Sequence, residues 1–133
     1  MKNLKVHYMS TNVHVRTPKY ILESLRKEFG DLYDPCPIHG TDGLVTDWES
    51  PAYVNPPYGS ELPKWTKKAL EEYKKGCVII LLLPARTDTA WFHDDILPYA
   101  TEIRFIRGRI RFEGYRSGAP FPSMIVIFEE RAP

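Results

Sequence analysis

Several things are scarce in this chain of 133 residues, and each scarcity removes a class of protein. There are two cysteines, Cys36 and Cys77, so no disulfide framework holds the fold. Cys36 and His39 form the one C-x-x-H pair, whereas a structural zinc site shows two close ligand pairs, so no metal is expected. The sequence places no base beside Cys36, which argues against a thiol nucleophile. No apolar segment nears the roughly 20 residues of a membrane span, and no signal peptide opens the chain. The expectation is a soluble, cytoplasmic domain with no membrane partner. The formal charge is +1, so no global field draws in nucleic acid, and any such binding must rest on a local patch. Repeats and low-complexity tracts are absent.

Proline and aromatic residues are plentiful, with 12 prolines implying many sharp chain reversals. The length suits one domain, 1–133, with a real core. Residues 1–16 show no clear period and read as a loosely ordered arm, with one strand near 4–8. Thr17-Pro18 reads as a helix start, with Thr17 as the cap and proline at the first helical position. Ile21, Leu22, Leu25 and Phe29 then share one helical face, and Gly30 stops it. Leu32-Tyr33 is a short predicted strand ending in the loop Asp34-Pro35-Cys36-Pro37. A brief strand is predicted at Leu44-Val45, ending at Asp47-Trp48. A helix is predicted at 63–75 and a third at 88–97. The unbroken apolar run 77–83 suits a parallel strand covered on both faces. Strands are also predicted at 103–106, 109–112 and 124–128. Strands alternating with helices point to an α/β sheet with an antiparallel end.

Asn55-Pro56-Pro57-Tyr58 follows the apolar run Ala52-Tyr53-Val54 and carries the most specific chemistry. Each proline fixes its own φ and keeps the preceding residue out of the helical region. The Asn55 side-chain oxygen and the Pro56 carbonyl are then two acceptors held in one geometry. Converging acceptors suit an amino group, and Tyr58 offers a flat face for a ring, so the stretch reads as a pocket for a planar amine. In open α/β sheets, ligands sit beyond the carboxyl ends of strands. Asp34-Pro35-Cys36, Asp47-Trp48, the Asn55 loop and Pro84-Ala85-Arg86-Thr87 all fall at predicted strand ends. Asp34 or Asp47 suits a ribose hydroxyl or an ammonium, and Trp48 suits an adenine ring; equally, the carboxylates cap turns and Trp48 fills core. Arg104, Arg107, Arg109, Arg111 and Arg116, interleaved with Phe112, Tyr115 and Phe121, suit a phosphate-and-base surface. They equally suit a half-exposed strand.

From Thr17 to about residue 128 the chain resembles the small phage-type, Dam-like DNA N6-adenine methyltransferases. The resemblance rests on an ordered series: Thr17-Pro18, Asp34-Pro35-Cys36, Asp42-Gly43-Leu44 with Asp47-Trp48, and Asn55-Pro56-Pro57-Tyr58. It continues through Leu83-Pro84-Ala85-Arg86-Thr87-Asp88-Thr89 with Trp91-Phe92, Gly108-Arg109-Ile110 with Phe112, and Ala119-Pro120 with Ser123. It implies a reduced Rossmann-like sheet with helices on both faces, and methyl transfer from S-adenosylmethionine to the exocyclic amine of a flipped adenine in DNA. It further implies a catalytic Asn55-Pro56-Pro57-Tyr58. Cofactor contacts would come from Thr17, Pro18, Asp34, Pro35, Cys36, Asp47 and Trp48. DNA contacts would come from Tyr58, Arg86, Thr87, Arg109, Arg111, Tyr115 and Arg116.

Two departures from such enzymes stand out. No glycine-rich turn follows the first strand, since Gly40 is distant, and the stretch from Asp34 to Asn55 is too short for a full strand–helix–strand unit. There is also no room for a separate recognition domain; a homodimer would supply extra DNA contacts. RNA adenine and a protein glutamine amide present similar planar amines, and a degenerate nucleic-acid-binding domain is the non-enzymatic alternative.

Overall fold

Four strands make one sheet: β1 (Ala52–Val54), β2 (Ile79–Pro84), β3 (Glu102–Phe105) and β4 (Ser123–Phe128). The computed structural model describes residues 14–37 and 42–130. Strand order is β1-β2-β4-β3, with β1 parallel to β2 and β4 antiparallel to both β2 and β3. β1, β2 and β3 therefore run the same way and end at one edge. β2 grows from the apolar run and is buried along its whole length, as a strand covered on both faces must be. Leu32-Tyr33 contributes a single parallel bridge, Tyr33 to Ala52, which carries Asp34 to the same carboxyl edge.

Two helices flank the sheet, α1 (Lys19–Phe29) and α2 (Leu62–Lys74). Residues paired across strands point to one face. Arg104 on one face is clasped by Glu28 of α1 at 2.6 Å. Phe128 on the other packs its ring 5.4 Å from Tyr73 of α2. Gly30, at φ +89°, ends α1 by donating its N–H to the Arg26 carbonyl. In α2 Trp65 and Ala69 form an apolar face, and Thr66 and Glu72 are buried with them. Among the described residues no helix is long and apolar enough to cross a membrane.

Four local expectations are corrected. Thr17 does not cap α1: Pro18 occupies the cap position, and the Thr17 hydroxyl is drawn off to Tyr53 and Asn55. Leu44-Val45 forms no strand; it turns, because Asp42 accepts the Leu44 N–H at 2.9 Å in the manner of an Asx turn. The helix expected at 88–97 is mostly one π-turn, Phe92–Ile96, closed from the Leu97 N–H to the Phe92 carbonyl. Residues 109–112 alternate because Ile110 and Phe112 are buried, yet their backbone partners are Ala119 and Tyr115 within the loop rather than a strand. The strand expected near 4–8 lies outside the described residues. The arm's end at 14–16 is fastened: Val15 is buried and Arg16 bridges Glu113.

Candidate active site

Asn55 stands directly after β1, 5% exposed, with its amide fully oriented by neighbours. Its Nδ2 donates to the Val15 carbonyl at 2.7 Å and to Thr17 Oγ1 at 3.1 Å. A primary amide has two N–H groups, so both are used. The Val15 carbonyl can only accept, which settles which end of the amide is nitrogen. Oδ1 is thereby turned the other way, where the Tyr58 hydroxyl donates to it at 3.3 Å. A carbonyl oxygen has two lone pairs, so one remains for a ligand. Behind Asn55, Thr17 Oγ1 lies 2.6 Å from the Tyr53 hydroxyl. Burial pushes the Tyr53 phenol well above its ordinary range, partly offset by Thr17, so it stays neutral. Tyr53 was missed from sequence, although its place two residues before Asn55 on one strand face was a usable signal.

A 460 Å³ cavity opens between α1 and the carboxyl edge of the sheet. Thr17, Asp34, Cys36, Tyr53 and Asn55 reach it from the sheet side, and Glu23 and Arg26 from α1. Asp34 Oδ1 accepts the Cys36 N–H at 2.9 Å. Burial raises the Asp34 carboxyl above its usual range, against the Cys36 N–H and nearby His14. Burial, then Asp34 and Asp42, pushes the Cys36 thiol up to about 12, which leaves it without thiolate character at neutral pH. Its Sγ lies 3.9 Å from His14 Nε2, and burial lowers the His14 pKa. Among the described residues no three His, Cys, Asp or Glu side chains gather to hold a metal; His39 lies outside them.

Asp47 and Trp48 are placed away from this cavity. The Asp47 side chain is 91% exposed and pairs with Lys75 at 3.0 Å. Trp48 is buried against Trp65, with ring centroids 6.4 Å apart. The indole N–H donates to the Gly43 carbonyl at 2.8 Å, and the Trp48 backbone N–H donates to Glu72 at 2.9 Å. A Cβ on Gly43 would collide with the Pro35 carbonyl oxygen, so only glycine permits this approach. Trp48 thus braces Gly43, and Gly43 supports the Asp34-Pro35-Cys36 loop from behind. Pro35 is buried and Pro18 faces a second groove, so neither lines the cavity.

That groove, of 600 Å³, runs between the start of α1 and the 111–116 loop. Arg111, Tyr115 and Arg116 line it, as do Lys19 and Tyr20, which their place in a helical first turn had hidden. Lys19 and Glu113 line both cavities, so the two adjoin. Arg109 is exposed outside the groove, with Gly118 packed close on its Cβ. At the end of the Asn55 loop, Tyr58 is 3% exposed, edge-on to Phe112 at 5.9 Å and to Phe121 at 5.2 Å. Arg86 is exposed, with its guanidinium 5.7 Å from the Phe121 ring. The Thr87 carbonyl accepts from His93 Nε2 at 2.7 Å. Pro56 is buried and Pro57 half-buried beside Asn55.

No curated protein and no solved structure matches the chain. The family model described as DNA N-6-adenine-methyltransferase (Dam) matches residues 9–133, nearly the whole sequence. With its ordered motifs and an asparagine amide fixed at a strand end, the chain belongs to that family.

Proposed function

We propose that this protein transfers a methyl group from S-adenosylmethionine to the exocyclic amine of an adenine flipped out of DNA. The observation that carries this reading is the Asn55 amide, its nitrogen locked by Val15 and Thr17 and its oxygen turned toward the Tyr58 hydroxyl with one lone pair to spare. Adenine's amine is a poor nucleophile because its lone pair is delocalised into the ring. Asn55 Oδ1 and the Pro56 carbonyl accept its two hydrogens, draw it toward tetrahedral geometry and localise that lone pair. Catalysis then rests on positioning and electrostatics.

The 460 Å³ cavity is of a size suited to a small-molecule ligand. Its carboxylates, Asp34 and Glu23, suit hydroxyl or ammonium groups, and Arg26 suits a carboxylate. When bound there, S-adenosylmethionine supplies an electrophilic methyl that the amine takes directly. With Cys36 kept as a thiol, it does not compete for that methyl. The parallel β1, β2 and β3, the reversed β4 and helices on opposite faces support a reduced Rossmann-like sheet, in which Gly43 and Trp48 replace the missing glycine-rich turn as support for the cofactor loop. An adenine within a duplex must leave the stack to reach Asn55. Contact with the Tyr58 ring then requires Phe112 or Phe121 to give way.

Incubation with methyl-labelled cofactor and unmethylated DNA is expected to yield N6-methyladenine on nucleoside analysis, and Asn55→Ala to yield none. Label appearing in RNA or protein glutamine but never in DNA would overturn the reading. The basic groove is proposed to track the DNA backbone. Replacing Arg111 and Arg116 by alanine is expected to weaken DNA binding about tenfold near 0.1 M salt and to lower the slope of log affinity against log salt by about 2. Cofactor affinity should not move; fluorescence anisotropy and calorimetry measure the two.

A further inference from the structure

Among the described residues, Ser123 Oγ is the one buried side-chain nitrogen or oxygen without a hydrogen-bond partner. The residue is 1% exposed. An unpaired buried hydroxyl costs stability, and alanine would remove the cost, so its presence calls for a use. Its place in the sheet suggests one. Ser123 pairs with Pro84, and on the same face Ile125 pairs with Leu82 and Ile127 with Ile80. Ile80 in turn pairs with Tyr53. Asn55 falls on this face too, since it and Tyr53 meet at Thr17 Oγ1. Ser123 lies two strands from Asn55 and two residues nearer the carboxyl edge. Strand spacing and rise put their Cα atoms roughly 12 Å apart. The two short side chains rise from the same face on either side of the end of β2, a separation of the order that a purine spans together with its two hydrogen bonds. Phe121, two residues before Ser123, meets Tyr58 edge-on at this corner, and Tyr58 reaches Asn55.

We propose that Ser123 reads the target base, its hydroxyl donating to a ring nitrogen of the adenine whose amine Asn55 and Pro56 hold. The proposal rests on the methyltransferase reading above. With the amine given to two acceptors, what remains on the adenine edges is acceptor nitrogens, and a hydroxyl is a fitting donor. The cluster of Tyr58, Phe112 and Phe121 fills the space until the base displaces it. The Ser123 hydrogen bond therefore forms only when substrate arrives, so its energy goes to recognition rather than to folding.

The test uses the full chain, DNA oligonucleotides with the target adenine replaced in turn by 1-deaza-, 3-deaza- and 7-deazaadenine, and Ser123→Ala beside the wild type. On unmodified DNA, Ser123→Ala is expected to lower kcat/KM about tenfold, the worth of one good hydrogen bond, while Tm stays equal or rises. One deaza analogue should cost the wild type a similar factor and cost the variant nothing more. Ser123→Cys, similar in size but a weaker donor, should fall between and serves if the alanine variant folds poorly. Unchanged kcat/KM in Ser123→Ala, or losses that add for all three analogues, would overturn the proposal. A wild type inactive on DNA overturns the methyltransferase reading with it; an active wild type and an unaffected variant overturn this proposal alone.

Discussion

Asn55→Asp is expected to lower kcat for methyl transfer by about 10²–10³-fold, the range seen when one preorganised polar contact to a reacting group is lost. The exchange keeps size and shape and supplies an additional acceptor oxygen, so by simple chemistry it looks harmless. The surroundings decide otherwise. One carboxylate oxygen would replace Nδ2, which now lies 2.7 Å from the Val15 carbonyl. Two acceptors at that distance repel, and Asn55 is too buried for water to screen them. The carboxyl must then protonate or rotate, and either response changes the oxygen offered to the substrate amine. Thr17 can reverse its hydroxyl to donate, but the Val15 carbonyl cannot. If the cavity holds the cofactor as proposed, its affinity should change little, because Asp34, Glu23 and Arg26 are kept. Thr17→Ser, which retains the hydroxyl, is the control expected to stay near wild type. Steady-state kinetics decides: kcat for Asn55→Asp within threefold of wild type would show that the Val15 contact does not set the amide.

What was legible in the sequence was whatever is encoded locally. The run at 77–83 announced a strand buried on both faces, and β2 is that strand. Proline after Asn55 announced a strand end, and β1 does end at Val54. Pairing between distant segments left no such trace. Asp47-Trp48 has the same local signature whether the indole covers a ligand or closes a loop, and the difference is made by Glu72, 24 residues on. Alternation at 109–112 reports burial of Ile110 and Phe112, but not that they pack under a loop tied to the arm at Arg16. Thr17-Pro18 carries a helix-start signal, yet two hydrogen-bonding groups on β1 and its end, Tyr53 and Asn55, outcompete the helix for the hydroxyl. In each case a long-range polar contact overrode a sound local preference.

Glu72 shows the same thing at the largest expected cost to stability. It sits in α2 among lysines, yet its side chain is 1% exposed. Burial alone would raise its pKa. Lys75 at 2.8 Å, the Trp48 N–H at 2.9 Å and Lys68 at 3.0 Å outweigh that and hold it at about 2. Glu72→Gln keeps an oxygen for Trp48 but leaves Lys68 without its counter-charge and Lys75 with Asp47 alone. Breaking a buried pair is expensive, but the Lys75 side chain is 55% exposed and partly screened by water. The expected loss is therefore about 2–3 kcal/mol, or roughly 5–10 °C in Tm. The sign with pH follows from the depressed pKa. The carboxylate contributes its full stabilisation above the unfolded value near 4.5 and loses it as pH falls toward 2. Urea denaturation at pH 7 should thus separate wild type from Glu72→Gln widely, and at pH 3 much less; an equal gap at both would mean the charge is not its source. Because Glu72 holds Trp48, Trp48 holds Gly43, and Gly43 backs Pro35, the variant should also bind cofactor more weakly at temperatures where it remains folded. A buried carboxylate on α2 would then set how firmly the Asp34 loop is held.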